Sequence, residues 1–302
     1  MEAALNKVRG VYMTLNQVYN GSSIQQVMEL LKEYKEDAKI IAGGTDIVVA
    51  MREGKLAPKV LIDISKIEDL SEIKVERDSI EIGAGVTYTQ LVENGAFGKN
   101  LKGLIKACSM VGSPQIRNKG TIGGNIANAA PAADSIPPLI ALGARLKIGS
   151  TRGYREVLLE DYFQKLKDHG LRNDELLISI GFMKAKDKEI LSFSKLGLRK
   201  ALAISRATIS MLIGIDNGII HNIVVASGSI GKFPMREIEV EKSLLGRSID
   251  EDILDLAVDS LQESMDKRLE GRSTLPYKRR AIVSLLEEAL RESNIYRSEV
   301  KL

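Results

Sequence analysis

In Ile41-Ala42-Gly43-Gly44-Thr45-Asp46-Ile47 a short apolar strand empties into two glycines, then a hydroxyl and a carboxylate, and an apolar helical pattern follows. Glycines at such a junction permit positive φ and let backbone N–H groups approach an anionic oxygen. A phosphate cradle and a plain turn capped by Thr45 or Asp46 both account for these residues. No Gly-Lys-Ser/Thr follows the glycines, and the spacing does not fit Gly-x-Gly-x-x-Gly, so this is neither a P-loop nor a dinucleotide fingerprint. A second stretch, Arg117-Asn118-Lys119-Gly120-Thr121-Ile122-Gly123-Gly124-Asn125-Ile126-Ala127, repeats the logic beside two cations. Two such loops suggest a diphosphate held from two sides. An Ω-loop packed on its own small side chains is the competing account of the second.

Outward from these loops, Ser23 caps a helical pattern running to Tyr34, and Lys39 to Ala42, Val60 to Ile64, Ile73 to Val75 and Ser79 to Ile82 read as strands. Gly83-Ala84-Gly85-Val86-Thr87 is a weaker glycine pair, with Thr87 placed to cap a helix through Leu91. Leu101 to Met110 is predicted helical, Val111 to Ala133 irregular, Pro137 to Leu142 helical and Arg145 to Ile148 extended. In the second half, 175–182, 189–196, 209–215 and 219–227 are predicted to form an antiparallel meander. Asp216-Asn217-Gly218 inside it favours a two-residue primed turn. Helices are expected near 235–245, 250–265 and 277–291, so the chain is of the α+β class. Polar residues between Gly149 and Asn173 place the division: 1–172, itself in two parts of about 1–60 and 61–172, and 173–302.

Composition narrows the chemistry. The 302 residues carry 43 Lys and Arg against 40 Asp and Glu, a balance without the footprint of a nucleic-acid-binding protein. One Cys cannot hold a disulfide framework, a zinc site or an iron-sulfur cluster, and two His leave few ligands for any transition metal. No secretory leader pattern opens the chain, and no apolar run approaches a membrane span, so a cytoplasmic protein is expected. There is no Gly-x-Ser-x-Gly elbow; His169 and His221 read as surface residues and Cys108 as a buried small hydrophobe. Asp134, after Pro131-Ala132-Ala133, sits where an acid would cap or face the start of the helix at Pro137.

One family carries this set in order. Ala42-Gly-Gly-Thr-Asp-Ile47, Ile82-Gly-Ala-Gly-Val-Thr87, Gly112-Ser-Pro-Gln-Ile-Arg-Asn118, Thr121-Ile-Gly-Gly-Asn-Ile-Ala127, Ala130-Pro-Ala-Ala-Asp134 and Ser194-Lys-Leu196 ahead of Arg199-Lys200 make the chain resemble the FAD-binding medium subunit of the molybdenum hydroxylases, the xanthine dehydrogenase and carbon monoxide dehydrogenase family. Val18-Tyr-Asn-Gly-Ser-Ser23 departs from it, standing where relatives have a Pro-containing turn.

The resemblance implies a two-part FAD-binding region of the vanillyl-alcohol-oxidase type followed by a C-terminal domain with an antiparallel sheet and helices. It implies non-covalent FAD held by Ile41, Ala42, Gly43, Gly44, Thr45, Asp46 and Ile47 on one side. Thr121, Ile122, Gly123, Gly124 and Asn125 would hold it on the other, with Asp134 on a polar part of the cofactor. Leu177 and Lys195 would reach the isoalloxazine from the C-terminal domain, Lys195 as a cation raising the flavin potential. Phe193 would lie beside the ring or be an ordinary buried strand residue. It further implies a molybdopterin-binding large subunit and an iron-sulfur small subunit as partners, and NAD as electron acceptor. The run from Ala130 to Pro138 looks most like the xanthine dehydrogenase branch. A stand-alone flavin oxidase or reductase of the same superfamily, and a non-enzymatic phospholigand-binding module, remain as alternatives at this level.

Overall fold

The computed structural model describes residues 15–197, 204–249 and 252–293. The opening residues Met1–Arg9, the basic pair Arg199-Lys200 and Asp250 lie outside them. Three sheets organise the chain. The first is parallel, in the order β1 (Gln17–Asn20), β3 (Val60–Asp63), β2 (Ala38–Ile41). Helix Ile24–Tyr34 crosses between its first two strands; Ser23 caps it, and Val27, Met28 and Leu31 line its buried stripe against the sheet. Because β2 sits at the edge of this sheet, its C-terminal end delivers Gly43 and Gly44 to the surface rather than into the core.

The second sheet holds β4 (Ile73–Val75), β5 (Ser79–Gly83), β6 (Arg145–Ser150), β7 (Gly153–Leu158) and β8 (Leu176–Met183) in the order β4-β5-β8-β6-β7. This corrects one expectation: β8, predicted to open the meander of the second half, is the central strand of the sheet before it. The reason is its composition, Leu-Leu-Ile-Ser-Ile-Gly-Phe, which is buried on both faces and needs a neighbour at each edge; β5 and β6 supply them. The long stretch predicted irregular also contains structure. Ser113 caps helix Pro114–Arg117 and Thr121 caps helix Ile122–Asn128, each accepting a backbone N–H through its side chain. Small residues concealed these helices because they bury too little apolar surface to show a helical period.

The third sheet is the antiparallel meander β9 (Glu189–Gly197), β10 (Ser205–Asp216), β11 (Ile219–Gly228) and β12 (Met235–Arg236). The β10–β11 turn is the Asn-Gly pair read from the sequence, with φ of 49° at Asn217 and 77° at Gly218. One face packs Leu191, Leu212 and Ala226 onto the core of the second sheet. The other is covered by helices Ile238–Leu244, Ile253–Arg268 and Leu275–Glu292 around Ile209, Met211, Leu261 and Leu286. The meander is thus buried on both sides, which fixes it against the first two-thirds of the chain.

The turn between β7 and β8 is tied down by Glu175, whose carboxylate takes a two-pronged bond from Arg155 (2.9 and 2.7 Å) and the N–H of Arg172 (2.9 Å). Burial pushes this carboxyl up, but the Arg155 guanidinium and the Arg172 N–H outweigh it and hold it below the usual carboxylate range. A carboxyl held low stabilises the fold above its unfolded pKa and loses that contribution as pH falls through the folded value. Glu175→Gln is therefore expected to cost about 3 kcal/mol near neutral pH. Urea unfolding at a series of pH values should show that difference shrinking below a pH of about 4, near the ordinary glutamate pKa.

Candidate functional site

The two glycine loops are brought into contact. A Cβ on Gly43 would fall 1.7 Å from the Lys119 carbonyl oxygen, so the backbone at 43 rests directly on the backbone at 119–120. The second loop is anchored in turn on the turn that follows β5: the N–H of Gly123 donates to Ala84 O (3.0 Å), and a Cβ at Gly123 would meet Ala84 at 2.5 Å. Ala84 N donates to Ile178 O (2.9 Å), which ties the loop to β8 beside Leu177. Both glycines are there because backbone passes backbone with no room for a side chain. Gly83 and Gly85 serve the same turn by donating to Glu72 O and Leu70 O.

The loops differ in what they have left to offer a ligand. In the second, Ile122 N is spent on Val86 O, Gly123 N on Ala84 O, Gly124 N on the Thr121 hydroxyl (3.0 Å) and Asn125 N on Thr121 O. In the first, the N–H groups of Gly43, Gly44, Thr45 and Asp46 have no acceptor among the described residues, and Gly44 takes a φ of 74°. Successive free N–H groups around a left-handed residue form a concavity for anionic oxygen. The backbone donors of the second loop are thus taken by Val86, Ala84 and Thr121, whereas those of the first have no acceptor among the described residues.

The second loop contributes side chains instead. Ser135 Oγ donates to Asn125 Oδ1 (3.0 Å), which commits its proton, so Tyr88 OH is the donor to Ser135 (3.1 Å). With its oxygen engaged, Asn125 keeps an amide NH2 that has no acceptor among the described residues. Gly124 is exposed, with only Thr121 Oγ near the place a Cβ would take. Across the loop contact, Asn128 Nδ2 donates to Asp46 Oδ1 (3.2 Å) and Thr45 Oγ1 to Asp46 Oδ2 (3.2 Å). Ile41, Ala42 and Ile47 are half-buried around the first glycine pair. Ile122 is fully buried in the core beneath the second.

Asp134 does not cap the following helix; Ser135 holds that position, its hydroxyl making no capping bond. The carboxylate turns the other way and meets the second half of the chain. Lys195 Nζ lies 2.5 Å from Asp134 Oδ2 and 3.3 Å from Met110 O, while the Ser205 hydroxyl donates to Asp134 Oδ1. The pair is buried, at 5% and 7% side-chain exposure. Burial pushes the Asp134 carboxyl above its ordinary value in spite of these partners. Lys195 is therefore half of an ion pair and not a lone cation.

Leu177 comes from β8 of the second sheet, paired with Ile148 and buried in its core, and so not from the meander that supplies Lys195. Phe193 is fully buried on β9 opposite Ser210, the ordinary strand residue of the two options. Cys108 is buried, and burial with the Asp134 charge pushes its thiol up to about 12, out of nucleophilic range. Ser135, Tyr88, Asn128 and Ser205 carry no sequence signal. Their partners lie 10 to 82 residues away along the chain.

Successive N–H groups of this kind suit an anionic oxygen such as that of a phosphate. Comparison with known proteins agrees: residues 13–182 match the FAD binding domain in molybdopterin dehydrogenase, and 192–293 the CO dehydrogenase flavoprotein C-terminal domain. The chain belongs to the FAD-binding medium subunits of the molybdenum hydroxylases. It is 31% identical over 271 residues to the nicotinate dehydrogenase FAD-subunit of Eubacterium barkeri, covering 88% of this chain and 92% of the relative. It is 27% identical over 277 residues to the xanthine dehydrogenase FAD-binding subunit of Escherichia coli O157:H7, covering 91% and 94%. Among solved structures it is similar to carbon monoxide dehydrogenase from Hydrogenophaga pseudoflava, with a TM-score of 0.85, 25% identity and coverage of 92% and 97%. The two-domain FAD-binding fold is that of these medium chains, and this subunit is part of a flavoprotein oxidoreductase. Among the described residues no helix is long and apolar enough to cross a membrane.

A double-substitution cycle tests the buried pair. Lys195→Met alone leaves the Asp134 carboxylate desolvated and unmatched, and is expected to cost about 3 to 5 kcal/mol. Lys195→Met with Asp134→Asn should recover more than half of that in equilibrium unfolding. Additive losses would show that the two side chains do not act as a pair.

Proposed function

We propose that this subunit takes electrons from an iron-sulfur small subunit into FAD and passes them to NAD, in a complex whose large subunit carries molybdopterin. The observation that carries the cofactor placement is the run of four N–H groups at 43–46 that have no acceptor among the described residues, together with the unengaged amide NH2 of Asn125. The first loop would hold the diphosphate through its backbone, and Thr121 to Asn125 would hold the neighbouring sugar-derived hydroxyls through Asn125 and the open face at Gly124. Asp134 and Lys195 would border the ring end, and Leu177 would support the site from β8. Bound FAD supplies the exchange between one-electron donors and a hydride acceptor. The protein's own work is to hold the cofactor's charge, orient it and fix the field around it. We place the division of the chain after β8, between 183 and 189, since β8 is bonded on both edges to the first unit.

For the reducing substrate we favour an N-heteroaromatic compound, with xanthine the first to try. Relatives named for nicotinate, xanthine and caffeine dehydrogenases support this choice. The substrate would bind the large subunit, so the choice rests on those relatives and not on residues of this chain.

Purified chain supplied with FAD is expected to show a flavin spectrum and to release intact FAD on denaturation. Gly124→Val should abolish that spectrum; because its Cβ would also press on the Thr121 hydroxyl that caps the helix, thermal unfolding is followed alongside, and loss of FAD in a variant that still unfolds cooperatively assigns the loss to the site. Full retention of FAD in the variant would remove Gly124 from the site. The ion pair gives a second test: Asp134→Asn uncovers the Lys195 charge and should raise the flavin midpoint potential, while Lys195→Met should lower it. Equal potentials in both variants would place the pair away from the ring.

A further inference from the structure

Ser23, Thr87, Ser113 and Thr121 each cap a helix in the ordinary way, their side chains accepting a backbone N–H from its first turn. Ser135 holds the same position before helix Ile136–Ala141 and makes no such bond. Its hydroxyl lies instead between two residues from other elements, Tyr88 at 3.1 Å and Asn125 at 3.0 Å. Giving up a cap is a cost to the helix, and the hydroxyl is spent on a side chain of the second glycine loop. The Tyr88 ring is itself set where the two loops meet: a Cβ at Gly120 would lie 3.7 Å from that ring and 3.7 Å from the Thr45 hydroxyl.

These three groups form a chain with one direction. Ser135 and Tyr88 are buried, at 0% and 2% exposure, so bulk water cannot supply a partner. Each hydroxyl has one proton and needs one acceptor for it. With Tyr88 donating to Ser135 and Ser135 to the Asn125 oxygen, both protons are used. In the opposite direction Asn125 would donate to Ser135 and Ser135 to Tyr88. The phenol proton would then have no acceptor among the described residues, a buried donor left unsatisfied. Burial pushes the Tyr88 phenol well above its ordinary pKa, so this proton is kept throughout the working pH range. The buried end of the chain therefore dictates what the half-buried end presents: the Asn125 oxygen faces Ser135, and the NH2 is left for a ligand.

Resting on the reading that Asn125 meets FAD, we infer that Ser135, backed by Tyr88, is a positioning residue for the cofactor, holding the Asn125 amide with its N–H groups ready for the oxygens of FAD. An amide without this hold turns freely, and both its ordering and the half-turns that present its oxygen weaken binding. The same step of chain serves the other border of the site, because Asp134, the neighbour of Ser135, binds Lys195.

The test is FAD titration of the full complex freed of its flavin, read as a dissociation constant. Ser135→Ala combined with Tyr88→Phe removes both hydroxyls, so that neither is stranded, and should raise the constant about tenfold. A loss that acts through Asn125 must vanish once that side chain is gone: in an Asn125→Ala background the same two substitutions should change the constant less than about twofold. Tyr88→Phe alone keeps the Ser135 proton on Asn125 and should cost about threefold, again only where Asn125 is present, which provides the cycle if the double variant does not assemble. Equal losses in both backgrounds would mean a general disturbance of the core and overturn the inference, as would unchanged affinity in the variants. If Asn125→Ala binds FAD as tightly as wild type, the Asn125 contact falls and the inference with it. A wild-type complex that takes up no FAD overturns the cofactor reading itself.

Discussion

Everything at the site depends on backbone passing backbone without an intervening side chain. Gly43 lies on the 119–120 peptide and Gly123 on Ala84, so the edge of the parallel sheet, the second loop and the start of the five-stranded sheet are locked in series. A methyl group at either glycine would have to displace main chain, not a flexible side-chain end. That contact holds the first loop in a conformation in which four N–H groups have no acceptor among the described residues. A looser loop would turn them onto its own carbonyls.

The second constraint is electrical. The meander is apolar on both faces, yet where its β9 and β10 strands meet the loop before helix Ile136–Ala141 the contact is an ion pair closed by a serine hydroxyl. Such a pair adds little to stability compared with apolar packing, but it accepts one geometry only. It thereby sets the position of the second half of the chain relative to the glycine loops. The Lys106 bonds to Glu288 and Glu292 on the outer helix support the same seam from further out. A cofactor lying along this seam meets a fixed dipole in place of a free cation, which limits how far the ammonium alone can shift its potential.

The first loop's donors are of one kind. Backbone N–H groups at 43–46 carry no net charge and suit an anion that stays.

Local chemistry was legible in the sequence wherever it is settled within a few residues. The Ser23 and Thr87 caps, the Asn217-Gly218 turn, the hairpin at 73–83 and both glycine loops follow from side chains bonding their own neighbours or from φ values that few residues adopt. The ordered set of motifs likewise identified the family. What only the tertiary structure decided are the long-range pairings: that β8 joins the earlier sheet, that Asp134 turns from its helix to Lys195, and that Ser135 fixes the Asn125 amide. An apolar strand carries no mark of which edge it will pair with, and a carboxylate beside a helix start has two good partners until the fold brings the second within reach. Which loop keeps its donors free was decided in the same way, by Val86, Ala84 and the Thr121 cap consuming one set and leaving the other.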